Sequence, residues 1–382
     1  MLNRPIDVAA NQSVLPRPLY THPSPPNPCV RRAAQYYAYY GDYAYADTLV
    51  LSALDKTNGA AGFTNGGQDF SAAVDDIRKE FTKKGTAYMN SWMYAIREFE
   101  DAIDDCTVGD LTSNALSSGP VHAWDEGVAF YAGSTMEFDH LLAGNLPTLD
   151  QKGKLAYTLA NKRCKNFKTC GPSGDEILGE AKVNIDLFDD FRRGQHELLV
   201  GNCAAVVPYK DAIVKKMTVP LIQGTLRYAY KVKNLQGTPK EKGEGAIFAA
   251  AVLPQVHACS PAHAKTIFDN MRADASPTVD FMAVKRAFEA CYSSMGVTCK
   301  DVGGLYRDAT NGYYMDNGDD ASPCVDPSSS ADDDSTTVAV AAGIGGGVGA
   351  VLLLLVIFMI FKEKKGKPLF YDVNTGSKTA AA

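Results

Sequence analysis

The sequence predicts a mainly α-helical protein made of two related helical lobes and a single C-terminal transmembrane helix. Long segments carry apolar residues at helical spacing, and little in the body requires strands. A short motif containing Glu126 returns 118 residues later around Glu244. An uncharged apolar run lies near the end of the chain. These three features predict the helical class, the internal duplication and the membrane helix, respectively.

Composition narrows the range of functions. Of the 382 residues, 46% are hydrophobic and 21% are charged, which is typical of a globular protein large enough for two domains. The net charge is −6, and the body has no basic block interleaved with aromatic residues. We therefore expect no nucleic-acid partner. The chain contains no GxSxG, P-loop or HExxH motif, so we expect a protein that is not an enzyme.

Shifts in composition predict six segments along the chain. In order, these are a Pro-rich extended leader (1–29), a first helical lobe (30–172), a second helical lobe (173–310), an acidic stalk rich in Ser, Asp and Pro (311–336), a transmembrane helix (337–361) and a short basic cytoplasmic tail (362–382).

The predicted membrane helix gives an orientation. The 24 residues Val338–Phe361 carry no charge, and as a helix they would extend roughly 36 Å, enough for a hydrocarbon core of about 30 Å. Lysines follow the run and aspartates precede it, so the positive-inside rule predicts a single-pass type I plasma-membrane protein with its large part outside the cell.

Two features of this prediction have alternatives. Glycines between Gly343 and Gly349 have the spacing of a helix-dimer face, although membrane helices also tolerate glycine without dimerising. The first 20 residues have no apolar core of signal-peptide length. Either the true start lies further upstream, or the protein is tail-anchored with its body in the cytosol.

Cysteine usage favours an oxidising compartment. All nine cysteines precede the apolar run. Cys164 and Cys170, and likewise Cys291 and Cys299, are close enough in sequence to form disulfides. The odd count leaves at least one thiol over.

Two N-terminal segments predict helices with defined breaks. Residues 31–54 are rich in Ala and Tyr and predict a buried helix pair broken near Gly41. Residues 69–105 predict a long amphipathic helix that Gly85 divides, with Asp69 or Ser71 capping its start.

The stretch PVHAWDEGVAFYAG, residues 120–133, combines three potential metal ligands at the start of an apolar helix. His122, Asp125 and Glu126 stand at i, i+3 and i+4 and therefore share one helix face. Imidazole nitrogen together with carboxylate oxygen suits iron, zinc or manganese. The alternative is that the two carboxylates only complement the helix dipole at its N-terminus.

The same motif is partly repeated in the second half. Residues 125–130 align with 243–248, where Glu, Gly and Phe match, and Glu244 takes the place of Glu126. Arg97 and Arg227 lie on similar helices upstream. The arginines either form structural ion pairs with the glutamates or hold an anion that completes a metal site. Chance similarity of two Ala/Gly-rich helices is the alternative to duplication.

The segments HAWDEGVAFYAGS (122–134), NKRCKNFKTC (161–170) and GEGAIFAAAVLP (243–254) resemble the algal iron-assimilation protein family, which includes the phytotransferrins. The resemblance covers roughly residues 30–310. It implies a membrane-anchored surface protein that captures ferric iron, with carbonate as a synergistic anion, and delivers it by endocytosis and acid release. The metal ligands that the resemblance implies are Asp125, Glu126, Glu244 and His122.

The second repeat lacks a counterpart of Asp125, which leaves open whether the second lobe retains a site.

Three rival functions remain open. The rivals are a surface structural or adhesion protein without metal, a tail-anchored cytosolic protein, and a metal-dependent enzyme that uses the face of His122 and Glu126.

Overall fold

The computed structural model describes residues 31–109, 119–133, 153–274 and 278–326. These residues are mainly helical, which confirms the predicted class. None of the helices within these ranges is both long and apolar enough to cross a membrane. The predicted leader, membrane helix and tail, together with residues 327–336 of the predicted stalk, lie outside the described residues.

The elements follow one another in this order: α1 (Arg31–Tyr40), α2 (Tyr45–Asp55), α3 (Asp75–Gly85), a π-helical segment (Thr86–Ser91), α4 (Trp92–Val108), α5 (Pro120–Ala132), α6 (Leu155–Phe167), α7 (Lys182–Leu199), α8 (Cys203–Asn234), α9 (Pro239–Cys259), α10 (Pro261–Met271), α11 (Phe281–Glu289), α12 (Tyr292–Met295), α13 (Cys299–Val302), β1 (Tyr306–Arg307), a 3-10 turn (Asp308–Thr310) and β2 (Gly312–Tyr313).

The predicted N-terminal helix pair is confirmed as α1 and α2. The chain leaves α1 at Gly41, whose φ of +75° is in the left-handed region that favours glycine. Tyr36 and Tyr40 point into the core, where their hydroxyls donate to the carbonyls of Ala251 and Ala250 on α9, each at 2.7 Å. These bonds satisfy the polar end of each ring, so both tyrosines can be buried as core residues.

The predicted long helix is present in three consecutive parts. The regular α-helix α3 ends at Gly85, where the prediction divided it, and the π-helical segment carries the chain into α4. The predicted caps are wrong: α3 begins at Asp75, and the N-cap residue Val74 makes no side-chain bond. Asp69 instead accepts from the Ser71 backbone N–H at 2.9 Å, which forms a separate turn before the helix.

Helices of both predicted lobes contribute to one continuous hydrophobic core. The α4–α5 and α8–α9 hairpins each form close helix pairs, and α3 also packs on α9 while α4 packs on α8. Trp92 of α4 is fully buried and donates its indole N–H to the carbonyl of Met217 on α8 at 3.2 Å. The described residues between Arg31 and Asp326 belong to one compact unit.

The first part of the predicted stalk packs on the helical body. Asp319 is only 3% exposed and accepts from Lys233 at 2.8 Å and from Asn234 at 2.7 Å, both at the end of α8. Tyr230 donates its hydroxyl to Asp316 at 2.7 Å. Two acidic residues that suggested a solvated stalk, Asp316 and Asp319, are therefore bound to polar partners on α8.

Four disulfides join the described residues: Cys106–Cys203, Cys164–Cys170, Cys259–Cys291 and Cys299–Cys324. The predicted bridge between Cys164 and Cys170 is confirmed. The predicted bridge between Cys291 and Cys299 is wrong. Cys291, just after α11, meets the end of α9 instead, and Cys299 at the start of α13 meets the packed C-terminal segment. The ninth cysteine, at position 29, lies outside the described residues, and the oxidising compartment remains a prediction.

Candidate ion-binding clusters

The first cluster forms where α5 begins. Gly119, with φ of +85°, turns the chain into the helix, and Pro120 occupies the first turn, where its missing N–H costs nothing. His122 and Glu126 then lie one turn apart, and His122 Nε2 is 3.2 Å from Glu126 Oε1. Their side chains are 40% and 47% exposed, so the pair is accessible from solvent. The predicted shared face is confirmed for these two residues.

Glu98 of α4 faces Glu126 across the hairpin. Glu98 is 9% exposed and hydrogen-bonds the Glu126 carboxyl group. Burial raises the pKa of Glu98 to about 7, and the negative charges of Glu126 and Asp101 act in the same direction. The hydrogen bond between the two carboxyl groups favours the protonated form of Glu98, and a cation bound between them would favour its ionised form.

Arg97 is not the partner of Glu126, so this ion-pair interpretation is wrong. Arg97 pairs with Asp101 one turn further along α4, and both side chains are about one-third exposed. Local i,i+4 spacing favours this pair over a contact across the hairpin. Arg97 still acts on the cluster, because its charge opposes the rise in the pKa of Glu98.

Asp125 bonds to a different helix. Its Oδ1 accepts from Gln195 Nε2 of α7 at 2.8 Å, and burial raises the pKa of its carboxyl group while this bond lowers it. The structure therefore places Asp125 in a contact with α7, whereas His122 and Glu126 contact each other.

The second cluster surrounds Glu244 on α9, which is 8% exposed. Lys84 of α3 lies 2.5 Å from Glu244 Oε1 and also pairs with Glu80. The Tyr228 hydroxyl forms a further hydrogen bond to Glu244. Burial acts to raise the pKa of Glu244, but the bonds from Lys84 and Tyr228 outweigh it, and the net shift is downward. The residue that neutralises Glu244 is a lysine, so the predicted pair with Arg227 is wrong.

Two arginines flank the Tyr228 ring. The guanidinium carbon of Arg227 lies 5.1 Å from the ring centroid and that of Arg163, from α6, lies 5.9 Å away. Arg163 is 8% exposed, and its Nε and Nη1 have no hydrogen-bond partner within the described part of the chain. Tyr88 of the π-helical segment is next to this group, and burial raises its pKa to about 12.

The two hairpins repeat several contacts. Phe130, four residues after Glu126, packs on Tyr94, with ring centroids 4.8 Å apart. Phe248, four residues after Glu244, covers Gly224, where an added Cβ would lie 2.7 Å from the ring. Tyr94 and Gly224 each stand three residues before the arginine of their hairpin.

The residue after each arginine has a common role as well. Glu98 follows Arg97 and Tyr228 follows Arg227, and each hydrogen-bonds the motif glutamate of its own hairpin. This match between the hairpins agrees with the repeat seen in the sequence.

Sequence reasoning did not select Glu98, Lys84 or Arg163. Of these three, only Glu98 could have been recognised from the sequence pattern. It stands on the apolar side of an amphipathic helix next to Ala95, Phe99 and Ala102. A carboxylate at such a position needs a partner.

Within the part of the chain that the structure describes, no three His, Cys, Asp or Glu side chains are arranged to hold a metal ion. No protein-family model, curated protein or solved structure matches the chain. The resemblance to the iron-assimilation family therefore remains a prediction that depends on the quoted motifs.

Proposed function

We propose that this protein is a membrane-anchored cell-surface protein that captures ferric iron for uptake. The observation that carries this proposal is the carboxylate pair of Glu98 and Glu126, with His122 next to it at an accessible helix start. The anchor in this proposal is the apolar run Val338–Phe361.

The chemistry of the pair suits a hard cation. Carboxylate oxygens prefer hard ions, and imidazole is also a ligand for iron. A trivalent ion between Glu98 and Glu126 would replace the proton they share and remove their mutual repulsion. The carbonate implied by the resemblance would add oxygen ligands, and Arg97 is the cation of this cluster nearest to Glu98 in sequence.

Acidification then offers a route to release. Protonation of the pair competes with the metal, so iron captured at neutral pH would be lost in an acidic compartment. This sequence of capture and release is what uptake by endocytosis requires.

The repeated contacts of the α4–α5 and α8–α9 hairpins support the further proposal that the two predicted lobes arose by duplication. In this view both copies keep the arginine, the glutamate and the phenylalanine. Only the first copy keeps a second carboxylate, Glu98, against its motif glutamate.

The test is iron binding by the full chain, purified in detergent and incubated with ferric citrate before gel filtration and metal analysis. We expect about one iron per chain in the unmodified protein and strong loss in Glu126→Gln. The matched control is Glu176→Gln, an exposed glutamate outside both clusters. Equal iron in all three proteins, or none in the unmodified chain, would overturn the proposal. Circular dichroism excludes misfolding as the cause of loss.

A further inference from the structure

The second cluster contains a buried guanidinium group that the protein does not fully satisfy. Arg163 is 8% exposed and bonds the Tyr228 hydroxyl, but its Nε and Nη1 have no partner among the residues that the structure describes. A buried N–H without an acceptor costs free energy, and the cost is larger when the group carries charge. Such a group needs an acceptor that the protein itself does not supply.

The neighbouring acids are already bound to other residues. Glu80 pairs with Lys84, and Glu244 accepts from both Lys84 and Tyr228. Neither carboxylate contacts Nε or Nη1 of Arg163, since these atoms have no partner. These N–H groups of Arg163 therefore lack an acceptor among the described residues.

The charges of this cluster do not balance. Lys84, Arg163 and Arg227 contribute three positive charges and Lys240 adds another near Glu244, whereas Glu80 and Glu244 contribute two negative ones. Arg227 also lies close enough to Arg163 for its positive charge to disfavour the charged form of that side chain. A negative charge next to Arg163 and Arg227 would reduce the excess positive charge and relieve this repulsion.

We propose that Arg163 and Arg227 bind a small inorganic oxyanion of the sulfate or phosphate type next to the Tyr228 ring. Guanidinium groups present paired N–H donors whose geometry matches an oxyanion, and such charge-assisted bonds are among the stronger ones in proteins. The site takes an anion without any metal ion, so it does not depend on the proposed iron site around Glu126.

The local backbone is consistent with a ligand site. The π-helical segment Thr86–Ser91 carries Tyr88 to the edge of the cluster, and π-helical turns occur frequently at functional sites. Gly85, just before this segment, lies one residue after Lys84. The irregular turn thus joins the lysine and the tyrosine that border the two arginines.

The experiment measures the melting temperature of the full chain in detergent with sodium sulfate or sodium phosphate, against sodium chloride at equal ionic strength. The variants are Arg163→Met, which removes the guanidinium, and Arg192→Met, a matched control at an exposed arginine paired with Asp189. We expect sulfate or phosphate to raise the melting temperature by several degrees beyond chloride in the unmodified chain and in Arg192→Met. The increase disappears in Arg163→Met.

A second measurement separates ligand binding from a purely structural role. In chloride alone, Arg163→Met should melt at or above the temperature of the unmodified chain, because the substitution removes an unpaired buried charge. A large loss of stability in chloride would show that Arg163 already has its partners and would overturn the proposal. So would equal effects of the oxyanions and chloride on the unmodified chain, or an oxyanion response that survives in Arg163→Met.

The outcome is independent of the iron proposal. Glu126→Gln, which is expected to lose iron, should keep the full response to sulfate. Iron binding without an oxyanion response would rule out only the anion site. An oxyanion response without iron binding would rule out only the iron site.

Discussion

The α4–α5 and α8–α9 hairpins present matching arginine and glutamate residues but opposite net charge. In the first, Asp101 and Glu126 outnumber Arg97 even when Glu98 is protonated, so the cluster attracts cations.

In the second hairpin, Tyr228 stands where the first has Glu98, and α3 and α6 supply Lys84 and Arg163. The two hairpins have similar motifs, but the first is acidic and the second basic. The difference comes from the exchange of Glu98 for Tyr228 and from the side chains that neighbouring helices supply. The motif glutamate alone does not determine which ion a hairpin can bind.

The largest effect on stability is expected for Glu244→Gln. This change breaks the buried ion pair with Lys84 and leaves Lys84, Arg163 and Arg227 with only Glu80 to balance them. We therefore expect a loss of about 3 kcal/mol in the free energy of unfolding. Denaturation of the full chain with urea measures it. Iron content should stay unchanged, because Lys84 already neutralises Glu244. Iron loss without a change in stability would place Glu244 in the metal site and undo the contrast between the hairpins.

The next effect tests whether Glu98 makes the difference between the hairpins. Glu98→Tyr reproduces the arrangement of the second hairpin, and we expect ferric affinity to fall by about 100-fold, the upper range for perturbing groups that support a metal site. Glu98→Gln keeps the size of the side chain and should lose a similar factor. If Glu98→Gln kept full affinity and only Glu98→Tyr lost it, steric exclusion by tyrosine would explain the loss and the carboxylate would be dispensable.

A third effect is the pH dependence of iron binding. The Glu98 pKa is raised from 4.5 to about 7, so below that pH the metal must displace a proton, and affinity should fall by about tenfold per pH unit. Metal analysis after equilibration between pH 5 and pH 8 measures this. In Glu98→Gln the remaining affinity should vary less with pH. An equally steep fall in that variant would assign the proton to another group.

The raised pKa of Glu98 also makes the stability of the metal-free protein depend on pH, in the direction opposite to that of iron binding. Because the folded state binds the Glu98 proton more tightly than the unfolded state does, stability should fall as pH rises from 4.5 to about 7. Glu100 and Glu180 also have pKa values raised to about 7 by burial. Glu98→Gln should therefore reduce the slope of stability against pH but not abolish it.

Local features of the fold could be predicted because they depend on adjacent residues. The break at Gly41, the start of α5 at Pro120 and the contact of His122 with Glu126 all follow from backbone preference or helical spacing.

Contacts between distant segments could not be predicted in the same way. Lys84 reaches Glu244 from 160 residues away, and Arg163 comes from a third helix. The wrong disulfide prediction has the same origin, because Cys291 and Cys299 are close in sequence while packing brings other partners nearer. The sequence suggested an arginine as the partner of each motif glutamate. Arg97 instead pairs with Asp101 on its own helix, and Lys84 of α3 pairs with Glu244.

The smallest expected effect concerns the Tyr228 hydroxyl, which links Arg163 to Glu244. Tyr228→Phe removes this link but keeps the ring near both guanidinium groups, so we expect a loss of about 1 kcal/mol in stability. The matched control is Tyr230→Phe on the same helix, which removes the bond to Asp316 and should cost a similar amount. The melting-temperature response to sulfate distinguishes the two variants. It should be altered in Tyr228→Phe, where Arg163 loses its neutral partner, and unchanged in Tyr230→Phe. An identical sulfate response in both variants would mean that the Tyr228 hydroxyl interacts with Glu244 alone. Sulfate would then be bound without a contribution from Tyr228.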